Sequence, residues 1–255
     1  MNKHYNIDWL TERFDNGENL KFLYFWGHTK NHNQEVGNFC FSQWFESAFI
    51  LNGLTYKTTE HWMMAHKAKL FDNNELINKI IDCDKPGEAK ELGRQVINFD
   101  DQVWNDNRFE IVKLGNIHKF NQNKDLGDYL IQTSDRILVE ASPVDTIWGI
   151  GLTKDSQEID NIYSWRGLNL LGFALMEVRD FLKDFGYFNS LDIDLDAPWI
   201  KYPDIAQLDM FWRMGTGEYY LMEFFKIFSK LDNREKLIYR LTNPEPYDWK
   251  GFYKE

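Results

Sequence analysis

A chain of 255 residues with 43% hydrophobic content is long enough to bury a substantial core, which sets aside a disordered or fibrous protein. Lys and Arg total 29 against 40 Asp and Glu, a formal charge of -11. A general basic field for coating nucleic acid is therefore excluded, whereas a pocket with a few local cations for one small anionic ligand is not.

The opening MNKHYNIDWLTERFD is polar, lacks the apolar run of a leader peptide, and leads to NGEN, a turn signal. FLYFWG over 22–27 reads as a short buried strand, and HTKNHNQEVGN over 28–38 as a polar loop. The aromatic and β-branched residues around Asn52-Gly53 predict a hairpin. Helical periodicity follows over 60–72, 74–82, 86–95 and 103–120, with Pro86 suited to a first turn and Asn105 to Asn107 weakening the last. A short helix over 124–133 precedes ILVEAS, a second strand, and then the turn-rich SPVDTIWGIGL and a polar loop over 154–164. LNLLGFALMEVRDFLKDF, over 168–185, is the clearest amphipathic helix.

Beyond Gly186 the acidic, proline-punctuated LDIDLDAPWIKYPD reads as a connector, followed by helices over 217–231 and 233–241 and an aromatic tail. The expected fold class is α+β, predominantly α-helical with a few short strands. The expected domains are a main one over 1–186 and a helical extension over 187–255 packed on it. The helix YYLMEFFKIF either packs on the parent domain or docks a partner or a second copy of the chain, and oligomeric state is left open. No run approaches the roughly 18 apolar residues of a membrane span. Cys40 and Cys83 have no metal-ligand spacing and read as reduced thiols. A cytoplasmic enzyme or binding protein, with no membrane partner, is expected.

Two constellations carry chemistry. In TTEHWMMAHKAK, about 100° per residue places Met63, Met64, Lys67, Ala68, Leu70 and Phe71 within roughly 80° of Glu60, with Trp62, Ala65 and Lys69 on the other side. Glu60 and Lys67 thus share the apolar arc, about 10.5 Å apart along the axis, too far for direct contact but near enough to line one cavity. Both either snorkel at the rim of the core or pair with other side chains, or they serve a ligand, because a chain keeps buried ions when they are partnered or used. In VEASPVDTIWGIG, the residues Glu140, Asp145 and Trp148 stand in a loop directly after a strand, where function concentrates. There Asp145 either caps local backbone or faces a ligand. No HExxH, P-loop, GxGxxG or GxSxG sequence occurs, so a metal or a cofactor is not expected.

The segments GNFCF, YKTTEHWMMAHKAKLF, AKELGRQV, VWNDNRFEIV, KFNQN, LVEASPVDTIWGIGL and WRGLNLLGFALMEVRD, in this order over roughly 20–185, resemble the NADAR family of YbiA-like N-glycosidases. The departures are Gly37 where serine commonly precedes the Asn-Phe pair, and Trp62 where tyrosine is usual. The resemblance implies hydrolysis of an N-ribosidic bond in riboflavin-synthesis intermediates or in ADP-ribosyl compounds, including ADP-ribosylated guanine. It implies catalytic roles for Glu60, Lys67 and Asp145, and substrate binding by Asn38, Arg94, Trp104 and Trp148. The partner would be a nucleotide or ADP-ribosyl small molecule, or ADP-ribosylated nucleic acid. The alternative is a module that binds ADP-ribose or an NAD-like ligand without cutting it.

Overall fold

A computed structural model describes residues 5–30 and 35–254; positions 31–34 of the expected polar loop lie outside them. The chain divides into two compact units, the first ending at Tyr187 and the second beginning at Phe188.

The first unit opens with helix α1, Ile7–Asp15, where only a polar stretch was expected. The Asn6 side chain caps it by accepting from Trp9 N at 2.7 Å, and Leu10, its one fully buried residue, stands with Ile7 and Phe14 at helical spacing that the polar residues between them masked. Strand β1, Phe22–Phe25, is shorter than the expected 22–27; Gly27, with φ of 80°, turns the chain away. Strands β2, Phe49–Leu51, and β3, Leu54–Tyr56, form the expected hairpin. Asn52 and Gly53 hold the two left-handed positions of its turn, at φ of 50° and 74°.

Helix α2, Thr59–Leu70, begins at the Thr58 cap. It departs from the one-faced helix that the sequence suggested. Trp62, placed off the apolar arc, is completely buried, and Ala65 nearly so. The Trp62 ring stacks on His66 with centroids 3.6 Å apart, and its Nε1 donates to Ile111 O at 2.7 Å. Gly115 makes room, since a Cβ there would fall 2.3 Å from the indole. Helix α2 is a central helix, buried on nearly all sides.

Helices α3, Asn74–Asp82, and α4, Pro86–Gly93, follow as expected, with proline in the first turn of α4. Helix α5, Asp101–Gln122, runs unbroken through Asn105–Asn107 from the Asp100 cap. Packing against both α2 and helix α7, Leu170–Phe185, outweighs the weak propensity of those asparagines. Helix α6, Lys124–Gln132, leads into strand β4, Ile137–Glu140, which pairs in parallel with β1 from Phe22↔Ile137 to Phe25↔Glu140. Helix α7 covers β4 closely, because a Cβ at Gly172 would fall 2.0 Å from Leu138 O.

In the second unit, the expected connector contains a short helix, α8, Pro198–Lys201. Helices α9, Gly215–Phe228, and α10, Asn233–Thr242, follow, the latter with an Asp232/Glu235 capping box. Phe224, Phe228, Tyr239 and Tyr253 form a core of this unit's own. The fold is α+β and predominantly helical. Among the described residues no helix is long and apolar enough to cross a membrane.

Candidate active site

The site is built where β4 ends. Two residues anchor the chain there. Asn169, in the left-handed region at φ of 51°, donates from Nδ2 to Leu138 O at 2.9 Å and accepts from Glu140 N at 3.0 Å through Oδ1. Beyond β4, the loop over 141–151 is held against the segment over 166–171 by a ladder of backbone bonds: Leu168 N to Thr146 O, Asn169 N to Gly149 O and Leu171 N to Trp148 O. Gly167 permits this closeness, since a Cβ there would lie 2.2 Å from Gly149 O. The WRGLNLL segment therefore works as a clamp on the acidic loop.

Within that loop Asp145 Oδ1 accepts from the backbone N–H groups of Ile147, at 2.8 Å, and Trp148, at 2.7 Å. The local cap that the sequence allowed is present, and it fixes the direction of the carboxylate. Asp145 in turn acts electrostatically on Glu60 of α2, Glu140 of β4 and Arg108 of α5.

Glu60 is 2% exposed. Burial pushes its carboxyl up to about 7, with the Lys90 ammonium and a hydrogen bond from the Trp44 side chain partly offsetting this and Asp145 adding to it. Glu140 is pushed further, to about 8, by burial and by the charges of Asp145 and Glu60, again eased by Lys90. Glu60 Oε1 and Glu140 Oε2 are buried without a hydrogen-bond partner among the described residues. Three acids thus converge at the carboxyl end of the parallel pair, where ligands of open α/β sheets also gather. Among the described residues no group of three or more His, Cys, Asp or Glu side chains is arranged to hold a metal ion.

Lys67 lies two turns along α2 in a different setting. Its Nζ donates to Gly93 O at 3.0 Å and sits over the rings of Phe99, at 4.3 Å, and Trp104, at 5.8 Å. Burial lowers its pKa, Asp101 opposes this, and the Arg94 guanidinium adds to it. The two settings are joined by α5: the Trp104 ring lies under the Lys67 ammonium, while Arg108, one turn on along the same face, feels the charge of Asp145. Of the predicted residues, Glu60 and Asp145 are brought together, and Lys67, Trp104 and Arg94 form a second group at the other end of α2. Arg94 is exposed and bonded to Glu91. Trp148 sits half-buried at the end of the Asp145 turn.

Asn38 is held beside β1. Its Nδ2 donates to Tyr24 O, and its Oδ1 accepts from Tyr129 Oη at 2.7 Å. It lines a hollow of about 510 Å³ with Tyr24, Phe25, Trp26 and Tyr129, and none of the three acids forms its wall. Sequence reasoning missed Trp44 and Lys90, and left Glu140 unassigned. It also missed Lys119, completely buried, whose Nζ donates to Cys40 O at 2.6 Å and Ser42 O at 3.0 Å. Burial pushes its pKa down to about 8. No apolar run marks it, since Asn116, His118 and Asn121 surround it, and its role is to tie down the segment that carries Trp44.

The chain is 45% identical over 170 residues to "N-glycosidase R617" of Acanthamoeba polyphaga mimivirus, covering 64% of this chain and 97% of that one. It is 27% identical over 198 residues to "Riboflavin biosynthesis protein VVA0006" of Vibrio vulnificus, covering 78% of this chain but only 46% of that one. The solved structure of the E. coli protein YbiA shares the fold, with a TM-score of 0.53 at 23% identity over 66% of this chain and 90% of that chain. The class is thus that of hydrolases acting on N-glycosyl compounds. Residues 24–183 match the NADAR domain model, and the chain belongs to the NADAR family.

Proposed function

We propose that the protein hydrolyses the N-ribosidic bond of a nucleotide-type substrate, either an ADP-ribosyl compound, including ADP-ribosylated guanine, or a ribosyl phosphate of the kind found in riboflavin synthesis. The observation that carries this reading is the pair of buried acids, Glu60 and Glu140, kept without full hydrogen bonding beside the anchored Asp145.

Breaking a ribosyl C–N bond builds positive charge on the sugar, while the departing nitrogen requires a proton. Glu60, pushed up to about 7, is the donor to that nitrogen. Asp145, aimed by its turn, faces the sugar. Lys67 has its pKa lowered by burial against two aromatic rings, which suits a neutral amine adding to C1′ of the opened ribose and expelling the base nitrogen that Glu60 protonates, leaving an imine that one water hydrolyses to the free sugar and the amine. Trp104 and Trp148 offer flat faces to the base or the sugar, and Lys90, Arg94 and Arg108 supply the cations for phosphate. A module that merely held ADP-ribose would gain nothing from three acids, which repel phosphate and weaken the fold. The chemistry belongs to the first unit and uses no cofactor. The cytoplasm is its compartment, in keeping with the free thiols of Cys40 and Cys83.

The test incubates the purified full chain with ADP-ribosylated guanosine, ADP-ribosylated DNA and the riboflavin intermediates. Release of ribosyl product from at least one is expected, with loss of turnover in Glu60→Gln and Lys67→Ala. Borohydride added during turnover should fix a sugar adduct on Lys67. Turnover that survives both substitutions removes these residues from the mechanism, and turnover without an adduct assigns Lys67 to phosphate binding instead.

A further inference from the structure

The two strands of the parallel pair end at one level, Phe25 beside Glu140, with neighbouring strands about 4.8 Å apart. The chain leaving β4 carries the acidic loop. The chain leaving β1 carries Trp26, a large ring that is 61% exposed. Trp26 forms one wall of the hollow of about 510 Å³, a volume in the range of small-molecule sites. Other walls come from Tyr24, Asn38 and Tyr129, and from Lys154 and Asp155, which stand just past the acidic loop over 141–151. The hollow is thus bounded by the continuations of the same two strands that frame the acids, yet none of the acids lines it.

Two of its aromatic walls are fixed in advance. Tyr24 Oη donates to Asp160 Oδ1 at 2.6 Å, and the Tyr24 ring stacks on Phe22. Tyr129 Oη donates to Asn38 Oδ1 at 2.7 Å, and the Tyr129 ring stacks on Phe41. Asn38, which also donates to Tyr24 O, braces both sides. Trp26 can then offer its open face to a flat partner. Lys154 offers a cation to phosphate, and Asp155 offers acceptors to the hydroxyl or amino groups of a nucleoside. A bare sugar phosphate has no ring to cover Trp26, whereas a nucleoside joined through phosphate uses every one of these groups. We propose that the hollow binds the far nucleoside of a two-headed substrate, its purine ring on Trp26, joined through a diphosphate to the ribose that the acids attack. The inference rests on the N-glycosidase reading and narrows its substrate class to ADP-ribosyl compounds, since a ribosyl phosphate seated at the acids leaves the hollow unused.

The experiment measures binding of ADP-ribose and of ribose 5-phosphate to the full chain by calorimetry. The native protein should hold ADP-ribose at least about tenfold more tightly than ribose 5-phosphate, and Trp26→Ala should weaken ADP-ribose by about tenfold. Trp26→Phe, which keeps a ring, should recover part of that loss. Ribose 5-phosphate, which reaches only the acids, should bind the native protein and Trp26→Ala alike. An azidoadenine analogue of ADP-ribose, photolysed on the native protein, should label the tryptic peptide over 22–30 that contains Trp26. Because this labelling needs no variant, a failure of Trp26→Ala to fold does not shield the proposal. ADP-ribose bound no more tightly than ribose 5-phosphate, equal ADP-ribose affinity in Trp26→Ala, or a label that misses 22–30 overturns it. Hydrolysis of a ribosyl phosphate alongside any of these failures strikes the hollow alone and leaves the N-glycosidase reading standing. Binding and labelling as expected, with no turnover of any substrate, strikes the glycosidase reading and leaves the hollow assigned.

Discussion

Glu60→Gln should make the protein more stable, and only above mildly acidic pH. The substitution keeps the shape of the side chain and removes its ability to ionise. In the folded chain Glu60 titrates at about 7 rather than at its ordinary 4.5, chiefly because burial disfavours the carboxylate. Between those two values the folded state binds more protons than the unfolded state, so stability falls as pH rises through that window. The shift of about 2.5 units, at about 1.36 kcal/mol each, corresponds to about 3 kcal/mol. At pH 4.5 or below the native protein and the variant should unfold alike, apart from a constant packing difference. By pH 8 the variant should have gained about 3 kcal/mol relative to that baseline, or about 6 to 12 °C in Tm for a unit of this size. Urea unfolding of both proteins at several pH values, followed by near-ultraviolet circular dichroism, measures the difference directly. Parallel pH profiles for the two proteins would show that Glu60 is an ordinary solvated acid and would refute the assignment of a raised carboxyl.

Lys119 gives the opposite sign. Its folded value is held down near 8, so the unfolded chain binds more protons above that pH, and the native protein should gain stability from about pH 8 to 9.5. In Lys119→Met this rise should vanish, and identical slopes in chemical unfolding would contradict the burial of an ammonium there. Gly167→Ala puts a Cβ within 2.2 Å of Gly149 O and 2.7 Å of Thr146 Cα. It should destabilise the first unit by roughly 1–3 kcal/mol and lower kcat by displacing the Asp145 turn, whereas unaltered turnover would show that the clamp does not govern the site.

The parts of the fold that were legible in the sequence are those fixed by local chemistry. Asn52-Gly53 supplies two left-handed residues and so declares the hairpin, and Pro86 starts a helix because its missing N–H is not needed there. What escaped depends on partners distant in sequence. The burial of α2 on nearly all sides is hidden because His61, His66 and Lys67 read as polar, whereas the first two spend their polarity on Thr58, Cys83 and Trp62. Trp44 and Lys90 reach Glu60 from a loop and from α4, and no spacing along the chain encodes that. Helical spacing placed Glu60 and Lys67 on one arc. Seven residues also put them two turns apart, and each found its own surroundings: acids at one end, aromatic rings at the other.

Asp145 shows why a structural role and a chemical role need not compete. As a turn residue it spends Oδ1 on two backbone N–H groups, and a free side chain would sample several directions. Bound in this way, the carboxylate has one direction, and its charge is felt by Glu60, Glu140 and Arg108 at once. The turn is itself pinned by the backbone ladder to the segment before α7, so the direction is set by the packing of that helix on β4 rather than by the loop alone. Pre-organisation of this kind is what an electrostatic contribution to catalysis requires, because a charge that has to reorient as the sugar becomes positive loses much of its effect.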